Sequence, residues 1–178
     1  EQLVPYTESD PMGGFDPYSS SKGCSEIATQ SYRSSFFPVE QYGKKHSTLL
    51  ASVRSGNVIG GGDWADDRLI PDIIRATEKH WSVEIRNQNA VRPWQHVLEP
   101  LSGYLQLGQQ LLLGKKEFAE AWNFGPTTSQ TKTVQQVVDD SSKIWSSILQ
   151  TKSKVGTHQP HEAQLLLLCS DKARNKLG

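Results

Sequence analysis

Apolar residues in this chain fall into short runs whose spacing alternates between helical and strand-like. Between Asp16 and Pro38, Cys24, Ile27, Ala28 and Tyr32 recur every three to four positions, which predicts a helix with a buried stripe. Asp16 suits its N-cap. Pro17 suits the first helical position, where a missing N–H costs nothing. The pattern fades at Ser34-Ser35-Phe36-Phe37 and ends before Pro38.

Ser47 to Arg54 reads as a buried strand that runs into Ser55-Gly56-Asn57-Val58-Ile59, followed by a Gly60–Trp64 loop. Leu69, Ile70, Ile73, Ile74 and Thr77 predict a helix to about Lys79, with Pro71 tolerated in its first turn. Val83–Arg86 and Val91–Val97 read as short strands. From Leu98 to Leu113, Leu101, Tyr104, Leu105, Gly108 and Leu112 mark the clearest amphipathic helix. Ala121–Gly125 is a strand and turn, and Thr133-Val134-Gln135-Gln136 is a capping box opening a helix to about Leu149. A last helix begins after Ser170. Strands alternating with helices predict an α/β architecture. There are no internal repeats and no low-complexity tract.

Charge and composition narrow the partners. The 178 residues carry nineteen basic and nineteen acidic side chains without a basic block, which argues against nucleic acid or an anionic membrane surface. The longest apolar run, Leu165 to Cys169, is too short to span a bilayer, and no signal peptide is visible. Mean hydropathy is −0.55, lean for a chain that must build its own core. Cys24 and Cys169 match no metal spacing and read as reduced thiols of a cytoplasmic protein. His158 and His161 lack the further ligands a metal needs. The chain opens at Glu1 and its only methionine is Met12, so a fragment of a longer protein is expected.

Several residues invite chemistry. Tyr18 and Lys22 lie four apart, on one helix face and in its first turn, where a ligand can reach them. A cation favours a neighbouring phenolate, which would serve as a proton acceptor; the pair could equally be a solvated surface pair. Asn57 at a strand end is either an amide donor to a ligand or a turn residue. Arg68 and Arg92 suit diphosphate oxygens but could simply be solvated. Trp94 reads as core. Gly60-Gly61-Gly62-Asp63-Trp64-Ala65 lacks the third glycine of a dinucleotide fingerprint and is rejected as a cofactor cradle, leaving a sharp loop at a strand's carboxyl end, where α/β proteins bind ligands.

Four ordered segments go further. Asp16-Pro17-Tyr18-Ser19-Ser20-Ser21-Lys22 resembles the Tyr-x-x-x-Lys helix of extended short-chain dehydrogenases/reductases. Arg54-Ser55-Gly56-Asn57-Val58-Ile59-Gly60, Arg68-Leu69-Ile70-Pro71 and Arg92-Pro93-Trp94-Gln95-His96-Val97 resemble segments of the nucleotide-sugar epimerase/dehydratase branch, in the expected order. The resemblance covers nearly the whole chain and implies the C-terminal part of a Rossmann-like doubly wound fold plus a smaller α/β substrate domain. Residues 1–60 would end the NAD-binding domain. Residues 61–178 would mainly form the nucleotide-sugar domain, with segments returning to the first.

The resemblance also implies a 4,6-dehydration, with NAD as cofactor, CDP-glucose as the nucleotide sugar and deoxysugar synthesis for surface polysaccharide as its setting. Tyr18 would be the base, and Lys22 would tune it and bind the nicotinamide ribose. Asn57, Arg68, Leu69, Arg92 and Glu162 would bind substrate, with His161 and Glu162 near a ribose contact. No metal is implied, and a homodimer is expected. Relatives carry an acid-bearing loop and a glycine fingerprint before the position of Glu1, so this chain alone is expected neither to bind NAD tightly nor to dehydrate sugar. Two alternatives stay open: an epimerase or reductase of the same superfamily, and a non-catalytic remnant or sugar-nucleotide-binding module.

Overall fold

The computed structural model describes residues 4–145, 151–153 and 163–178. In chain order the elements are α1 (Pro17–Ser35), β1 (Ser52–Ser55), β2 (Val58–Ile59), α2 (Leu69–Glu78), β3 (Val83–Ile85), β4 (Val91–Arg92), β5 (Gln95–His96), α3 (Leu98–Leu112), β6 (Ala121–Phe124), β7 (Lys132–Thr133), α4 (Val134–Ile144), β8 (Thr151–Ser153) and α5 (Asp171–Leu177). The mixed α/β order is the one expected. β1 pairs with β6, β2 with β5 and β3 with β8 in parallel, and β4 pairs with β7 antiparallel. The chain divides into two compact units.

One unit comprises Tyr6–Ser55, Leu98–Gly125 and Leu168–Gly178. Its centre is the β1–β6 ladder, with Val53 opposite Trp122 and Arg54 opposite Asn123. Side chains alternate between the two faces of a strand. On one face Trp122 and Phe124 join Leu107 of α3, Phe118 and Ala173 of α5 in a buried cluster. On the other, Ser52 and Arg54 hydrogen-bond Glu26 of α1. The two helices therefore cover opposite faces of one ribbon. Trp122 is fully buried, stacks on Phe118 at 5.5 Å between centroids and donates its indole N–H to the Phe118 carbonyl at 3.0 Å. Gly103 lets α3 approach Phe124, since a Cβ there would sit 2.1 Å from the ring.

Three expectations are corrected here. The stripe Cys24, Ile27, Ala28 and Tyr32 is exposed; α1 turns Gly23, Glu26 and Arg33 inward instead. The reason is polar docking: Glu26 bonds β1, and Arg33 Nε donates to the Leu50 carbonyl at 2.8 Å. On α3 the packed residues are Tyr104, Leu107 and Leu111, while Leu101, Leu105 and Leu112 are exposed, because the contact with Phe124 at Gly103 sets the rotation of the helix. The strand read from Ser47 to Arg54 is only Ser52–Ser55 and is half-exposed, since β6 is its one ladder partner among the described residues.

The other unit comprises Glu1–Pro5, Gly56–Val97 and Pro126–Leu167. Ile73 and Ala76 of α2, Val83 and Ile85 of β3 and Val138 of α4 form its core. The capping box of α4 is complete, with Thr133 and Gln136 each accepting from the other's backbone N–H. Residues 146–150, where that helix was expected to end, lie outside the described residues.

Candidate functional site

A cavity of about 320 Å³ lies wholly within the unit built on α2 and β3. Asn57, Arg68, Leu69 and Arg92, far apart in sequence, all line it. The β2–β5 pairing brings Asn57 beside the Arg92-Pro93-Trp94 turn, with the Gln95 N–H donating to the Asn57 carbonyl at 2.9 Å. Gly56 permits that closeness, because a Cβ would meet Pro93 at 2.3 Å. Leu69 opens α2, and Arg68 is its N-cap, in extended backbone and without a side-chain cap bond. The free N–H groups of that first turn give this wall a partial positive charge. Packing of Ile73 and Ala76 against Val83 and Ile85 sets α2 against β3, and Glu84, Ile85 and Arg86 all line the cavity.

The lining is charged on both sides. Arg92 is buried, and one of its terminal nitrogens donates to the Val91 carbonyl at 2.9 Å. Arg86 pairs with Asp67, and Asp72 pairs with Arg75. Asp67 takes a left-handed backbone at φ 61°, sparsely populated for a residue with a Cβ, immediately before Arg68. Trp94 is not core, as its sequence context suggested. It is half-buried on the cavity wall, its indole N–H donating to the Lys132 carbonyl at 3.1 Å; the core tryptophan is Trp122. Gly60–Gly62 follow β2, precede α2 and line the cavity.

Tyr18 and Lys22 belong to the other unit. Asp16 caps α1 by accepting from the Ser19 N–H at 2.9 Å. The Ser19 hydroxyl and backbone N–H hold the Asp16 carboxyl below the usual carboxylate range. Tyr18 is 63% exposed in the first turn, with the Lys22 ammonium 5.3 Å from its ring centroid. The phenol and the cation do project side by side. Glu162, with His158 and His161, lies outside the described residues. Among the described residues no three His, Cys, Asp or Glu side chains gather as a metal site, and no helix is long and apolar enough to cross a membrane.

Sequence reasoning missed Trp64, Glu84 and Arg86 as lining residues. Val83-Glu84-Ile85-Arg86 alternates, but Ile85 lines the cavity as well, so alternation alone did not mark the charged pair.

No family model matches the chain. Over 173 residues, 97% of its length, it is 51% identical to a CDP-glucose 4,6-dehydratase of Salmonella typhimurium, of which it covers 48%. Its structure superposes on a dTDP-glucose 4,6-dehydratase from Bacillus anthracis, solved with NAD, at TM-score 0.74 and 19% identity, covering 99% of this chain and 50% of that one. A UDP-glucuronic acid 4-epimerase from Bacillus cereus, solved with UDP-glucuronic acid and NAD, gives 0.75 and 15%, covering 99% and 51%. The chain spans about half the length of the relatives it matches. It has the Rossmann-like α/β fold of nucleotide-sugar dehydratases and epimerases over that half.

Proposed function

We propose that the protein carrying this sequence is an NAD-dependent CDP-glucose 4,6-dehydratase. The observation that carries this reading is one cavity lined by Asn57, Arg68, Leu69 and Arg92 together. The 51% identity to a CDP-glucose 4,6-dehydratase supports it and favours cytidine as the nucleoside. Arg68 and Arg92 bind diphosphate oxygens in bidentate fashion, aided by the uncapped first turn of α2. Asn57 offers its amide to the same ligand, and Leu69 packs an apolar edge. Glu162 is a further substrate contact in this reading.

Tyr18 and Lys22 fit the nicotinamide-ribose end of NAD: an exposed ammonium with three donors beside an exposed phenol, both at an open helix start. When bound, NAD supplies the hydride acceptor for the sugar C4 and the hydride donor for C6. The Tyr18 phenolate takes the C4 hydroxyl proton, the Lys22 charge stabilises that phenolate, and the C5 proton and C6 hydroxyl leave as water. The product is CDP-4-keto-6-deoxyglucose, a precursor for deoxysugar and surface-polysaccharide synthesis, made in the cytoplasm.

The exposed apolar side of α1, with Ile27, Tyr32 and Phe36, supports a homodimer through that helix.

The full-length protein incubated with CDP-glucose should give a 4-keto sugar with no net NADH. Turnover of another nucleotide sugar and none of CDP-glucose would reassign the substrate, and C4 inversion without water loss would make it an epimerase. A second reading, a sugar-nucleotide-binding module, is favoured by the confinement of the cavity to one unit; nucleotide binding without turnover would establish it.

A further inference from the structure

The segment between the glycine turn and Arg68 forms one wall of the cavity, and its largest side chain is Trp64. Trp64 is 57% exposed although it lines a concave site. Its backbone, by contrast, is tied down. Arg75, on the second turn of α2, donates to the Trp64 carbonyl at 2.8 Å and to the Ala65 carbonyl at 3.2 Å. The same guanidinium pairs with Asp72 and lies 3.6 Å from the Asp66 carboxylate. Asp63 accepts from the Ala65 N–H at 3.0 Å, fixing the other side of the tryptophan. Three acceptors and a neighbouring carboxylate around one guanidinium use the planar fork that only arginine provides.

An exposed indole on a fixed backbone, in a cavity that also carries Arg68 and Arg92, matches a ligand with both a flat unsaturated ring and a diphosphate. A nucleoside diphosphate has both. A hexose is saturated and has no π-face, meeting an indole only through its C–H groups. Trp94 shares the cavity, but its indole N–H is committed to Lys132. We infer that Trp64 is the stacking surface for the nucleobase and that Arg75 is the positioning residue that presents it. This deepens the reading of the cavity as a nucleotide-sugar site and rests on it.

The test uses the full-length protein, with CDP and CDP-glucose as probes followed by calorimetry and tryptophan fluorescence. Trp64→Ala should weaken CDP between about five- and a hundredfold, the range of one base–aromatic stack. Trp64→Phe keeps a ring and should stay within about threefold of wild type. Arg75→Gln and Arg75→Lys should weaken CDP and raise KM for CDP-glucose more than they lower kcat. Combined with Trp64→Ala, Arg75→Gln should add little, since Arg75 acts through Trp64. CDP should quench fluorescence in Trp94→Phe and not in Trp64→Phe. Wild-type CDP affinity in Trp64→Ala would overturn the inference, as would additive losses in the double variant. A loss for CDP-glucose but not for CDP would assign the stacking to the hexose and overturn it too. A full-length protein that binds neither probe would refute the underlying nucleotide reading along with it.

Discussion

Glu26 of α1 and Arg54 of β1 meet at 3.0 Å, and the same carboxylate oxygen accepts the Ser52 hydroxyl at 2.8 Å. This is how a helix with its apolar residues outward is held on the sheet. Burial pushes the Glu26 pKa up, but the bonds from Arg54 and Ser52 and the charges of Arg54 and Arg33 outweigh it, so its folded value lies below the ordinary one. A depressed carboxylate contributes stability above its unfolded pKa of about 4.3 and loses it as pH falls through the lower folded value. Glu26→Gln should therefore cost about 1–3 kcal/mol near neutrality, the scale of hydrogen bonds to a charged group. The gap between variant and wild type, measured by urea unfolding, should narrow on acidification below about pH 4. A gap independent of pH would show that the pair is not what stabilises this contact.

Gly103→Ala probes the opposite face of the same ribbon. The added Cβ would lie 2.1 Å from Cε1 of Phe124, itself buried and in edge contact with Tyr104 at 5.2 Å. The ring has no room to give, so overpacking should cost about 1–3 kcal/mol. Thermal unfolding should show the loss, and Gly108→Ala, with nothing within 4 Å, should not.

These two contacts also mark the limit of what the chain disclosed before it was folded. Asp16 with Pro17, and Thr133 with Gln136, fixed the starts of α1 and α4, because caps are written within four residues. The inward faces of α1 and α3 were misjudged, because helical rotation is set by partners distant in sequence: Arg54 for one and Phe124 for the other. The cavity was legible where ordered segments carried it, at Asn57, Arg68, Leu69 and Arg92. Trp64 and Arg75 were not, since an exposed tryptophan and a surface arginine mean nothing until the backbone brings the arginine to the loop.

Tyr18→Phe separates chemistry from binding. Tyr18 does not line the cavity, so CDP affinity of the full-length variant should match wild type. Turnover of CDP-glucose should fall by about a hundredfold or more, the contribution of a positioned proton acceptor. Lys22→Ala should also lower kcat, and should weaken NAD as well, by loss of the ammonium beside the phenol. Retained turnover in Tyr18→Phe would move the base elsewhere.

Arg92 and Arg68 should respond differently to the same change. Arg92 is 8% exposed and already donates to the Val91 carbonyl, so its guanidinium is held in place before any ligand arrives. Lysine keeps the charge but has no planar fork and cannot both hold that carbonyl and grip two phosphate oxygens. Arg92→Lys should therefore weaken CDP by about tenfold, the worth of one charged hydrogen bond. Arg68 is exposed at the head of α2, where the first-turn N–H groups share the load. Arg68→Lys keeps the charge at an exposed position and should weaken CDP by only a fewfold. Calorimetry with CDP decides it. Equal losses in the two variants would mean that burial of Arg92 adds nothing to its grip on the diphosphate.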